Sequence, residues 1–360
     1  MSSSTSTSER AYRRFLPALL GLYLATILLN VIVDPFDVFG TEWACFAPHK
    51  NDVVFNRATI IHRAERTDPE LLVLGTSRVM AFDAKRLAEL TGQAAHVLAV
   101  PAANIYELRR HLEHYSSRKN LRRVLLGLDY YSFNPRRAPY VGFDETRLQG
   151  KAPPWKDYAL VATHYKALFE SLSVLRACLT WPPDEDAAAS SPTSLPLDLA
   201  VRFATRPEFY DTESLDDWDA LNAELAHLRA IVDLAQARGF ELHLFINPFQ
   251  YKHWHMIHAV GRGASYEKWK RELVEIAPLW DFSGSNSITR EDANFIDTSH
   301  YRSPVAEWIA RRTLDLDPSS VPADFGVRLE AGNVDARLAS EAFHVDRAVI
   351  EELHGLLRRR

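Results

Sequence analysis

The chain has 360 residues, of which 47% are hydrophobic and 25% charged, so it can bury one large core or two modest ones. Its formal net charge of -5 and pI near 6.3 exclude the basic excess that nucleic-acid binding requires, and no nucleic-acid partner is expected.

A Ser/Thr-rich start with Arg10, Arg13 and Arg14 precedes FLPALLGLYLATILLNVIV, residues 15 to 33, which carries no charge. At about 1.5 Å per residue this stretch extends roughly 28 Å, close to the hydrocarbon thickness of a bilayer. The preceding arginines and the following Asp34, Asp37 and Glu42 predict a cytoplasmic tail (1–14), a transmembrane anchor (15–33) and an external remainder. No small-residue cleavage site follows, as a signal peptide requires. The expected location is therefore a single-pass inner membrane protein whose main domain is periplasmic or extracellular. Residues 34–51 read as a juxtamembrane linker. Cys45 and Cys178 then lie where disulfides are permitted, and either a bridge or two free thiols is open.

From residue 70 strand and helix alternate. ELLVLG is a continuous apolar run expected for a strand covered on both faces, and Asp83 and Gly92 bracket a helix through AKRLAEL. HVLAV (96–100) is a second strand. Asn104 with Glu107 resembles a capping box, and Ile105, Leu108, Leu112 and Tyr115 share one helical face. RRVLLGLDYY (122–131) is a third strand. Residues 135–215 read as an insertion over the sheet, with a helix through DYALVATHYKALFESLSVLRACL and a flexible stretch at 182–196. The alternation resumes with a helix marked by Trp218, Leu221, Leu225, Leu228 and Val232, a fourth strand FELHLFIN, a helix YEKWKRELVEI and a short fifth strand in LWDFSG. A helix begins at Ser303-Pro304. Residues 52–316 thus form one α/β domain with a doubly wound, mainly parallel sheet, and 317–360 are a C-terminal extension of unassigned role.

Ser77 follows the first strand, where ligands of open parallel sheets bind. Alone it reads equally as a helix cap. NFIDTSHYRSP places Asp297 and His300 just before the last helix of the domain. A serine needs a base to remove its proton, and imidazole oriented by a carboxylate supplies one.

These stretches resemble a known superfamily. VLGTSRV is similar to the first block of SGNH (GDSL-like) hydrolases and IDTSHY to their last. The closer resemblance is to the membrane-anchored branch similar to alginate O-acetyltransferase-type and related envelope proteins, carried also by NRATIIHRAERTDPELLVLGTSR, LGLDYYSFN and DFSGSNSIT. The resemblance covers about residues 30–316. It implies a three-layer SGNH/flavodoxin-like fold, with Ser77 as nucleophile, His300 as base and Asp297 as orienting carboxylate. It also implies oxyanion donors: the serine N–H, a glycine N–H after the second strand and an asparagine after the third. Here Ala102 stands at the glycine position and Asp129 at the asparagine position, where an ionised carboxylate would repel an oxyanion. Asn104 and Asn134 are the substitutes at hand. Arg78 can bind an anionic group or pair with a carboxylate. Tyr130 and Tyr131 are candidates for stacking on a sugar. His253 and His255 are candidates for lining the cleft, and with His258 they offer an alternative metal-dependent hydrolysis, although no metal or other cofactor is expected.

The expected activity is a serine acyl esterase or O-acetyltransferase on an acylated carbohydrate or sugar hydroxyl of the cell envelope. Transfer would need an acyl donor delivered by a multi-span membrane partner. The alternative is a catalytically silent binding or scaffold module of an envelope polysaccharide complex.

Overall fold

The structure is a computed structural model that describes residues 5–46, 50, 56–117, 120–180, 218–340 and 345–358. The stretch expected to be flexible, 182–196, lies outside the described residues, as do Arg359 and Arg360 of the terminal arginine run. The chain divides into two compact units, residues 1–66 with 144–189 and residues 67–143 with 190–360.

The first unit is helical. Its N-terminal helix, Thr5–Val33, contains a 22-residue segment from Tyr12 to Val33 that is long and apolar enough to cross a membrane, with 11% of its most apolar window buried. Of the insertion expected to lie over the sheet, residues 144–189 group instead with this N-terminal segment, while 135–143 belong to the second unit. The insertion's expected single helix is two, Trp155–Thr163 and Tyr165–Leu179. The break falls at His164, whose extended backbone (φ -81°, ψ 135°) and Nδ1, accepting from the Lys166 N–H, start the second helix. Asn30 ties both to the N-terminal helix: its Nδ2 donates to Ala162 O at 3.0 Å and its Oδ1 accepts from Ser171 Oγ at 3.0 Å. A small core of Phe36, Val38, Val161 and Ala167 fills the contact. Cys45 and Cys178 are joined as a disulfide, with Cα atoms 5.5 Å apart.

The second unit is α/β. Six strands, β1 (Leu71–Gly75), β2 (Ala95–Ala99), β3 (Arg123–Leu128), β4 (Glu241–Ile246), β5 (Leu279–Asp281) and β6 (Val327–Leu329), form one sheet in the order β2-β1-β3-β4-β5-β6. The first five run parallel. β6 comes from the C-terminal extension and closes the edge antiparallel to β5, with Trp280 opposite Arg328. Leu71 to Leu74 are fully buried, which explains why β1 reads as an unbroken apolar run. Asp83 accepts from the Lys85 and Arg86 N–H groups at the start of Ala84–Thr91, and Gly92 ends that helix in the left-handed conformation.

The chain leaves β1 toward β2 on one side and returns to β3 on the other, so a crevice opens where the strand order reverses. Two glycines let the backbone crowd there. A Cβ on Gly75 would meet Val79 Cγ1 at 2.6 Å, and one on Gly127 would meet Asn247 Nδ2 at 2.9 Å.

Candidate active site

Ser77 opens a tight 3-10 turn, Ser77–Ala81, directly after β1. Its Oγ lies 2.8 Å from His300 Nε2. His300 Nδ1 faces Asp297, 2.8 Å from Oδ2 and 3.0 Å from Oδ1. The Asp-x-x-His spacing works because Asp297 also folds its own loop: Oδ1 accepts from the Ser299 N–H at 2.7 Å and the His300 N–H at 2.8 Å. Ile296 N–H donates to His300 O, closing the loop. Residues 223 positions apart thus meet in a Ser–His–Asp line. The His300 and Asp297 side chains keep 29% and 30% of their surface exposed, so the line opens to solvent. Burial alone would raise the Asp297 carboxyl, but the hydrogen bond and attraction of His300 and the two loop N–H groups outweigh it and hold the carboxyl below its usual range.

Behind this line lies a buried polar network. Asp129, at the end of β3, does not point an unpaired charge at the serine. Its Oδ1 pairs with Arg78 Nη1 and accepts from Asn247 Nδ2 at 3.1 Å, and its Oδ2 accepts from Thr76 Oγ1 at 2.5 Å. The expectation that it stands at an oxyanion position and repels is therefore corrected: its charge is neutralised. Arg78, 3% exposed, binds no external anion in this arrangement. It donates from Nε to Ser299 O at 2.9 Å and from Nη2 to Ser299 Oγ at 2.7 Å, and its guanidinium lies over the rings of Tyr131 and Phe249. One side chain thus links the turn after β1 to the loop that carries the histidine.

Asn247 and Tyr301 complete the network, and the sequence reading missed both. Asn247 follows β4 and accepts on Oδ1 from Tyr301 OH at 2.9 Å. The available signal was their position, a polar residue ending an apolar strand and a tyrosine one residue past His300.

The other candidates fall elsewhere. Asn104 is consumed as a helix cap: Oδ1 accepts from the Glu107 N–H and Nδ2 donates to Arg137 O. Asn134 is buried, with Oδ1 accepting from the Arg136 N–H. Tyr130 packs edge-on against Tyr266 and tilted against Trp269 in the core. Tyr131 is sandwiched by the Arg78 and Arg137 cations, and burial and then Asp129 push its hydroxyl up to about 12. Neither tyrosine presents a ring to a sugar. His253 is fully buried; desolvation, then repulsion from Arg78 and His300, pushes it down to about 3. His255 bridges Tyr251 O and the Asp346 N–H. His258 packs on Trp254, and among the described residues no three His, Cys, Asp or Glu side chains converge as metal ligands.

Ala102 lies in the turn that follows β2. It takes a left-handed conformation (φ 57°), which suits glycine and costs an alanine about 1–2 kcal/mol. Arg137 holds it there by donating to its carbonyl at 3.1 Å. Its N–H and that of Ser77 carry no hydrogen bond among the described residues.

No protein-family model matches this sequence, and no curated protein matches it.

Proposed function

We propose that this chain is a membrane-anchored serine acyl-transfer enzyme of the SGNH type, an esterase or O-acetyltransferase acting on a cell-envelope carbohydrate. The observation that carries the reading is the continuous hydrogen-bonded line from Ser77 through His300 to Asp297. The strand order and the placement of the serine after β1 support the family.

In this reading the Asp297 carboxylate accepts the hydrogen bond from His300 Nδ1–H, which keeps the proton on Nδ1 and leaves Nε2 free to accept from the serine. Ser77 Oγ attacks the ester carbonyl as its proton passes to Nε2. The tetrahedral oxyanion takes the unpaired N–H groups of Ser77 and Ala102. Collapse expels the alkoxide, which takes the proton from Nε2 and leaves an acyl-serine. Water or a sugar hydroxyl then gives its proton to Nε2 and attacks the acyl carbon, and collapse returns that proton from Nε2 to Ser77 Oγ as the acylated product leaves. Which of the two attacks separates hydrolysis from transfer. Transfer would draw its donor from a multi-span membrane partner.

The silent-module alternative rests on the want of a neutral oxyanion donor near Ser77: the Arg78 pair offsets the Asp129 charge but supplies no donor, and Asn104 is held as a helix cap, so the enzyme reading leans on the N–H groups of Ser77 and Ala102. The N-terminal helix serves as the anchor, with the short arginine-bearing tail inside and the chain after Val33 outside, in keeping with the flanking charges. The test is acetate release from O-acetylated polysaccharides by the full chain in detergent, with Ser77→Ala alongside. Release abolished by that substitution supports the enzyme; release from no acetylated substrate by a folded protein returns the reading to a binding module.

A further inference from the structure

The helix Tyr165–Leu179 buries one face and exposes a row of large apolar side chains on the opposite one. One carries Ala167, Ser171 and Val174, all buried in the first unit. The other carries Tyr165, Phe169, Leu172 and Leu179, which are 61%, 67%, 48% and 88% exposed. At about 100° per residue the two stripes lie on opposite sides of the helix. A row of large apolar side chains left open to water on a helix whose other face is already packed marks a surface that is covered in the working state. Something covers the second face.

The depth of that face relative to the N-terminal helix identifies the cover. Ser171, midway along Tyr165–Leu179, donates to Asn30, which stands in the last turn of Thr5–Val33. In the same turns Leu28 and Ile32 are 59% and 42% exposed, continuing the open apolar surface that runs from Phe15. Lipid that covers Leu28 and Ile32 is therefore level with the middle of Tyr165–Leu179. Trp155 is 64% exposed at the start of the preceding helix, and Trp43, 60% exposed, is held by the Cys45–Cys178 bridge close to Leu179. Tryptophan and tyrosine beside an apolar stripe, with Lys166 and Arg176 among them, are the composition of a helix lying in the headgroup boundary.

We infer that Tyr165–Leu179 is an interfacial helix whose outer face, centred on Phe169 and Leu172, is embedded in the bilayer beside the anchor. The inference rests on the reading of Thr5–Val33 as a membrane span. Its consequence is that the first unit is a membrane-seated platform, and the disulfide locks the embedded helix to the chain leaving the anchor.

The experiment uses the full chain in phosphatidylcholine–phosphatidylglycerol vesicles containing a phospholipid with a diazirine in its acyl chain. After irradiation, adducts are mapped by peptide mass spectrometry. Adducts on residues 15–33 and also on 165–179 are expected, and Phe169→Glu with Leu172→Glu should lower the second set about fivefold or more while leaving the first unchanged. Adducts on 15–33 alone overturn the inference and leave the anchor standing. Adducts on neither stretch overturn the anchor and this inference with it. Crosslinks between copies through 165–179, without lipid adducts there, assign the face to a second copy and also overturn it. Labelling of Ser77 by a serine-reactive probe reports that the second unit of the variant is folded.

Discussion

Arg78→Met is the substitution that most severely tests the buried network. The side chains of Arg78 and Asp129 are 3% and 0% exposed, so removing the guanidinium leaves a carboxylate buried without its counter-ion. Breaking such a pair from one side costs about 3–5 kcal/mol. The two hydrogen bonds to Ser299 add about 1–2 kcal/mol. With a urea dependence of about 3 kcal/mol/M, a total of about 4–7 kcal/mol lowers the unfolding midpoint by roughly 1.3–2.3 M. Adding Asp129→Asn in the same chain removes the stranded charge and should recover about 2 kcal/mol relative to additivity. Fluorescence of the buried Trp254 and Trp269 follows this unit's unfolding in detergent. A loss below about 1 kcal/mol for Arg78→Met, or strict additivity of the two changes, would refute the claim that this pair neutralises Asp129 and ties the turn to the histidine loop.

Asp297→Asn should leave the fold intact and lower the rate of acyl transfer by about 10⁴-fold, because the imidazole loses its preferred tautomer; a drop of tenfold or less in a steady-state ester assay argues against a triad. His253 stays neutral in the folded chain down to about pH 3, whereas an unfolded histidine takes up its proton near 6.5. Between those values falling pH therefore favours unfolding, and His253→Gln should remove up to about 1.4 kcal/mol per pH unit of that slope with no change of slope above pH 7; parallel slopes in urea titrations at pH 4 to 7 would contradict it. Cys45 and Cys178 lie 133 residues apart, so reduction should destabilise the first unit by about 4–5 kcal/mol. Alkylation is expected to add two groups only after reductant, and thiols that react without it would count against the bridge.

The sheet was legible because its strands are buried on both faces: an apolar run ending in glycine or a polar residue needs no tertiary context to be read. The helix starts at Asp83 and Asn104 were legible for the same local reason, since a cap is chosen by its own neighbours. Ser77, His300 and Asp297 were legible as residue types at strand and helix ends. What escaped was whatever depends on pairing across the crevice. Asp129 read as a hazard because its neutralising partner is 51 residues away, and for the same reason Arg78 stayed open between an anionic ligand and a carboxylate partner. Tyr130 and Tyr131 stayed open between stacking on a sugar and core packing because an aromatic pair after a strand carries no mark of which way it faces. The insertion's allegiance to the N-terminal segment rests on Asn30, Ser171 and a disulfide, contacts of more than 130 residues in separation that leave no periodic trace.

The central claim is an activated serine, and a fluorophosphonate probe tests it most directly. The full chain in detergent is treated with the probe, digested and read by mass spectrometry, beside Ser77→Ala and His300→Ala. A single phosphonyl adduct on Ser77, absent from both variants, is the predicted result. A folded protein that takes no adduct, or takes it on another residue, contradicts the account.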